Sequence, residues 1–228
     1  MGDESDLGAM FEGALRSVET WPAMWWLAWM ALAFLAGGLR WSDAAGFGKR
    51  LRWPWTDVRL LFQEKGDGSG MTWADVLIHG GAGAAAGLTL TSLLGQGAGQ
   101  GWDSSLFWRV WAIWFLLGGI RWGIGRLMGV LTGSESQGVA WVLHHRWMME
   151  STAWCLAPMG VIGVVAGPSG SEIGMTLWMV GWALSWCLRQ RRTVFRLPMF
   201  RTHALIPMLY LCALEILPVA VLFRAWKG

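Results

Sequence analysis

The chain has 228 residues, 54% of them hydrophobic and 14% charged, with 20 Trp, 32 Gly and a mean hydropathy of +0.40. That composition lies outside the soluble globular class and predicts an all-α, polytopic membrane protein. A formal net charge of +3 does not indicate nucleic acid, because the Lys and Arg residues fall between apolar runs, where membrane topology requires them.

Residues 1–20 carry Asp3, Glu4, Asp6, Glu12 and Glu19 against Arg16 alone, the reverse of a basic leader, and read as an acidic extracytoplasmic tail. An apolar run of about 20 residues is what a helix needs to cross a hydrocarbon core roughly 30 Å thick. Runs of this kind recur along residues 21–226 and predict a six-helix transmembrane bundle. Span one, at about 21–39, stops at Arg40 and Trp41. The basic, aromatic stretch that follows holds Lys49, Arg50, Arg52, Trp53, Trp55, Arg59 and Lys65. It fits an inner-side loop, and it also fits a segment lying on an anionic leaflet.

Span two, at about 73–94, contains an unbroken run of Gly and Ala from Gly80 to Gly87. Small residues four apart, Gly80 with Ala84 and Gly83 with Gly87, let helices approach closely in lipid and predict a central, tightly packed helix. Span three, at about 106–122, ends FLLGGIRW, close to the FLAGGLRW that ends span one; shared stop chemistry accounts for the likeness better than duplication. Residues 127–146 read as a mixed connector ending in His144, His145 and Arg146. Span four, at about 147–166, has Glu150 in its first turn or so, within reach of Arg146. Pro168, Ser169 and Gly170 predict a tight turn, with span five at about 173–188 and span six at about 203–223.

With Arg109 and Arg121, near the two ends of span three, counted in the loops they adjoin, Lys and Arg number six between spans one and two, three between three and four, and five between five and six, against one, one, none and two in the other segments. The alternation predicts a bacterial inner-membrane protein with its basic loops cytoplasmic and both termini periplasmic.

Candidate functional residues follow from charge at membrane depth. Glu215 lies in the middle of span six, and Pro218 three residues on withholds a backbone hydrogen bond and predicts a kink beside the acid. Glu150 is the second intramembrane acid. His79, His144, His145 and His203 all fall near the cytoplasmic ends of their spans, so paired imidazoles are weak candidates for holding a haem; no other cofactor and no metal is expected. His203 is twelve residues from Glu215, about 18 Å along a helix, so these two form no single relay. Cys155, Cys187 and Cys212 sit singly in apolar runs and suggest neither disulfides nor zinc. Gly167 to Gly170 matches the GxSG string of rhomboid proteases, but Ser169 is predicted at the outer surface and His203 at the inner one, too far apart for a nucleophile and its base.

The tail YLCALEILPVAVLFRAW resembles the closing signature of an uncharacterised family of Bacteroidota inner-membrane proteins, catalogued as a domain of unknown function. The likeness rests on Tyr210, Leu211, Cys212, Glu215, Ile216, Leu217 and Pro218, and the tryptophan load departs from the family pattern. It implies that Glu215 and Pro218 matter, and it carries no activity. The expectation from the whole sequence is a bundle without chemistry of its own, partnered by the lipid bilayer and by other membrane proteins, acting as a component or assembly factor of an envelope complex. The alternatives are a small proton-coupled transporter using Glu215 and a haem-binding electron carrier.

Overall fold

The computed structural model describes residues 23–42, 44–56, 72–97 and 104–193. Among them the chain is all-helical: α1 (Ala23–Ser42), α2 (Ala44–Thr56), α3 (Trp73–Gly97), α4 (Ser104–Leu131), α5 (Glu135–Val165) and α6 (Gly167–Thr193). The acidic tail and span six lie outside the described residues, and with them Glu215, Pro218 and His203. One described helix, over Trp73–Gly95, is long and apolar enough to cross a membrane.

α3 is the axis of the bundle and packs against α1, α4, α5 and α6. Its Gly and Ala residues explain how one helix takes four neighbours. A methyl group added at Gly83 would come within 2.8 Å of the Trp114 ring, and one at Gly81 within 2.7 Å of the Trp154 ring. Large aromatic side chains from α4 and α5 therefore lie where α3 has none. At the α3–α5 crossing the backbones themselves are close: a Cβ at Gly160 would stand 2.8 Å from Thr89 Cα.

Helix directions follow from these contacts. α3 and α5 run the same way, since Asp75 meets Arg146, His79 meets Glu150, and Leu93 meets Gly163. α1, α4 and α6 run the other way: Leu35 faces Gly81, Phe107 faces Gly87 while Gly118 faces His79, and Ser185 meets Thr152. The C-terminal ends of α1, α4 and α6 thus share one end of the bundle with the N-terminal ends of α3 and α5. That end collects Arg40, Lys49, Arg50, Arg52, Arg121, Arg126, Arg146, Arg189 and Arg191, and Arg109 lies toward the other.

Two predicted boundaries are corrected. The stretch 127–146 is not a connector: α4 continues to Leu131 and α5 begins at Glu135. The reversal is made by Gly133 at φ 64°, with Ser134 N donating to Gly129 O at 2.8 Å and Gly133 N to Val130 O at 3.1 Å. This is a Schellman close, which needs a left-handed residue that glycine adopts without strain. The second turn falls at Ala166 and Gly167 (φ 70°), not at Pro168 to Gly170, which open α6. A proline in the first helical turn forfeits no hydrogen bond, because the amides there have no intrahelical acceptor.

The basic stretch after α1 is also more ordered than a loop. Its first part is α2, docked on α1 and α5. Phe47 is buried with Leu39 and Ile78, and its ring meets Trp154 edge-on at 5.8 Å.

Polar groups are buried among the hydrophobic core, and large apolar ones are displayed outside. Asp75, Thr89, Thr91, Ser92, His144, Glu150, Ser151 and Ser185 are buried, whereas Leu27, Phe34, Leu116, Ile173, Val180 and Leu184 are exposed. Several of the buried hydroxyls satisfy themselves on the carbonyl one turn back, as Thr89 does on Ala85 (2.8 Å), Thr91 on Gly87 (2.7 Å) and Ser92 on Leu88 (2.6 Å).

A buried charge network as the candidate functional site

The site is assembled where α2, α3 and α5 meet, and it starts from the cap of α3. Thr72 precedes the helix and Asp75 lies three residues on, the spacing of a capping box. Asp75 N donates to Thr72 Oγ1 at 3.2 Å; in return Thr72 N and Oγ1 donate to Asp75 Oδ2 at 2.7 and 2.8 Å. The other oxygen, Oδ1, accepts from Arg50 Nη2 of α2. A carboxylate only 3% exposed thus has both oxygens satisfied, the condition for burying it without a large penalty.

Arg146 links this cap to the second acid. Its Nη2 donates to the Asp75 carbonyl, and its Nε donates to Glu150 Oε1 at 2.6 Å. Glu150 is 1% exposed, and the same Oε1 lies 3.0 Å from His79 Nδ1. The contact is a hydrogen bond between a carboxylate oxygen and a ring nitrogen, held by one hydrogen between them. His79 Nε2 points at α4, where a Cβ on Gly118 would come within 3.2 Å of it, and the ring is held against Phe115 (5.3 Å, edge-on) and Trp114 (5.7 Å). Glu150 Oε2 is buried and has no hydrogen-bond partner among the described residues.

Two cations, Arg50 and Arg146, therefore balance two carboxylates, Asp75 and Glu150, with one imidazole at the deep end. His79 is four residues, about 6 Å, further along α3 than Asp75. Around the ions, α2 adds three contacts to α5: Arg50 lies over the Trp147 ring at 5.4 Å, Trp55 Nε1 donates to Ser151 Oγ, and Ser151 Oγ donates to the Leu51 carbonyl at 2.9 Å.

Of the residues singled out in the sequence, the structure unites Glu150 and His79, together with the Arg146 expected one turn from Glu150. His79 meets a carboxylate here, with no second imidazole. His144 and His145 are buried inside α5, level with the very start of α3, and the His145 ring packs on Trp141 at 5.7 Å. Both His79 nitrogens are directed at protein groups, so a bond from His79 to haem iron would require breaking the Glu150 contact or moving away from Gly118. Among the described residues no three His, Cys, Asp or Glu side chains are grouped so as to hold a metal ion. Ser169 is exposed at the start of α6, at the end of the bundle away from this network.

Asp75, Arg50 and Thr72 were missed. The T-x-x-D spacing ahead of an apolar run was a readable cap signal, whereas the Arg50 pairing spans 25 positions and has no local signature. The chain matches no family model, and no curated protein or solved structure is similar to it.

Proposed function

We propose that the chain is an integral membrane protein, a six-span bundle of the bacterial inner membrane with periplasmic termini, acting without chemistry of its own as a component or assembly factor of an envelope complex. The observation that carries this reading is the outward apolar surface: large apolar side chains face outward on α1, α4 and α6, while several charged and hydroxyl groups are turned inward among the core. The apolar length of α3 and the self-satisfied hydroxyls point the same way. The bacterial setting rests on the likeness of Tyr210 to Pro218. The test is extraction followed by purification. The chain should stay with membranes through an alkaline carbonate wash and co-purify in mild detergent with defined envelope proteins, identified by mass spectrometry. Release by carbonate, or purification alone at full yield, would count against the reading.

A second reading, proton-coupled transport, is favoured by one observation, the His79–Glu150 contact at the deep end of the network. Glu150 takes the place beside Glu215 as the acid to test. In proteoliposomes with an internal pH-sensitive dye, Glu150→Gln and Glu215→Gln variants that fold normally should each lose proton flux. Unchanged flux in both would end this reading.

A further inference from the structure

α2 covers the buried network, yet it is poorly equipped to be a helix. It has 13 residues and includes Gly46, Gly48 and Pro54, a composition with little helical stability of its own. What holds it is its docked face: Phe47 clustered with Leu39 and Ile78, Leu51 packed against that cluster, Arg50 on Asp75 and Trp147, Trp55 on Ser151. Its basic residues Lys49, Arg50 and Arg52 fall within four positions. They lie at the end of the bundle where Trp41 (92% exposed) and Trp73 (84% exposed) are displayed, the position of an interfacial aromatic belt. A short basic segment with aromatic residues is also what an anionic leaflet attracts.

We infer that α2 is a detachable lid, docked on the bundle when Arg50 pairs with Asp75 and released when anionic lipid phosphates take Arg50 and its basic neighbours. The inference rests on the membrane reading above and adds to it a partner class and a means of regulation. Release takes the cation from Asp75 but leaves its carboxylate partly bonded. Asp75 keeps the Thr72 amide and hydroxyl on Oδ2, Arg146 keeps Glu150 and the Asp75 carbonyl, and Oδ1 is left facing water. What it uncovers is Ile78 and Ser151, each next to the residue, His79 or Glu150, that forms the deep contact.

A cysteine at Ile78 reads the lid directly, because Ile78 is 1% exposed and is buried in one cluster with Phe47 of α2. The full chain, with Cys155, Cys187 and Cys212 replaced by Ser and Ile78→Cys introduced, is reconstituted in two kinds of vesicle. One is phosphatidylcholine alone; the other is equal parts phosphatidylcholine and phosphatidylglycerol. Labelling by a water-soluble maleimide should be about tenfold faster in the anionic vesicles, the order expected when a few basic side chains gain an anionic surface. Adding Arg50→Gln should raise the rate in phosphatidylcholine and flatten the lipid dependence. Leu93→Cys, buried on α3 far from α2, should stay unreactive in both. Equal, slow labelling of Ile78→Cys in both vesicles and in the Arg50→Gln background overturns the lid. So does a parallel rise at Leu93→Cys, since the bundle would then be opening as a whole. A chain that carbonate strips from the vesicles refutes the membrane reading itself, whereas a retained chain with no lipid dependence refutes the lid alone.

Discussion

Glu150 is where the energetic stakes per residue are highest, because its partners come from two helices and its charge is compensated mainly by Arg146. Glu150→Gln removes the negative charge but keeps the shape, and so leaves Arg146 beside a neutral amide in a mostly buried place. Breaking such a pair from one side costs about 3 kcal/mol, much of it the penalty on the charge left behind. Arg146→Gln should cost a similar amount for the mirror reason. The double variant removes both charges, and the expected outcome is a double variant more stable than the sum of the two single losses predicts, with a coupling of about 1–2 kcal/mol in detergent melts. Additive losses would mean that the 2.6 Å contact carries no net energy. The cap gives a smaller effect of the same kind. Thr72→Ala removes a hydroxyl that both donates to Asp75 and accepts from its amide, and should destabilise by about 1 kcal/mol in the same assay.

Among the helices, glycine position decides what a substitution does, and identical spacing in the sequence conceals opposite surroundings. Gly83 and Gly87 on α3, and Gly119 and Gly123 on α4, are both pairs four residues apart in apolar runs. The first pair faces the Trp114 and Phe107 rings, whereas nothing lies within 4 Å of a Cβ at Gly119 or Gly123. Gly83→Leu should therefore force α4 away from α3 and cost on the order of 3 kcal/mol or more, while Gly119→Leu should leave the melting temperature within a degree or two. A comparable loss from both would show that the outer face of α4 is covered. The same contrast explains what was legible. The tight packing of α3 could be read because the run from Gly80 to Gly87 has one physical use in a membrane-length helix. Trp29, by contrast, has no such local signal. It is in fact half-buried, with its ring against Gly160 of α5, a contact fixed only by where α1 crosses. The α4–α5 turn was hidden by composition: Ser, Gln, His and Arg between residues 134 and 146 suggested a loop, yet Gly133 and the following S-x-x-Q were a stop and a start. The docking of α2 depends on residues 25 and about 100 positions away, Asp75 and Ser151, and no window along the chain contains it.

For the whole molecule, the ends of the helices set the orientation. Arg146 of α5 meets Asp75 near the start of α3, yet α5 begins at Glu135, and Gly118 of α4 faces His79, yet α4 runs on to Leu131, so both helices extend past the start of α3 at the basic end. A helix of 31 residues is about 46 Å long, well beyond a hydrocarbon core of roughly 30 Å, so in the proposed membrane setting part of α5 would stand outside it. The part that projects past the start of α3 is the α4–α5 hairpin around Gly133, on the side of Arg121, Arg126 and Arg146. On the proposed membrane reading, Lys and Arg, which resist translocation, would put this end in the cytoplasm and the end with Ser104 and Ser169 in the periplasm. The reading is open to direct labelling of single cysteines in intact cells by a reagent that does not cross the inner membrane. Ser104→Cys and Ser169→Cys, both at exposed positions, should react. Ser136→Cys, exposed just past the hairpin turn, and Lys49→Cys on α2 should react only after the cells are opened. The hairpin is the more demanding site, because Lys49 is only half-exposed on the docked α2 whereas Ser136 is open to a reagent from its own side of the membrane. Labelling of Ser136→Cys from outside would therefore reverse the orientation even if every helix stayed where it is.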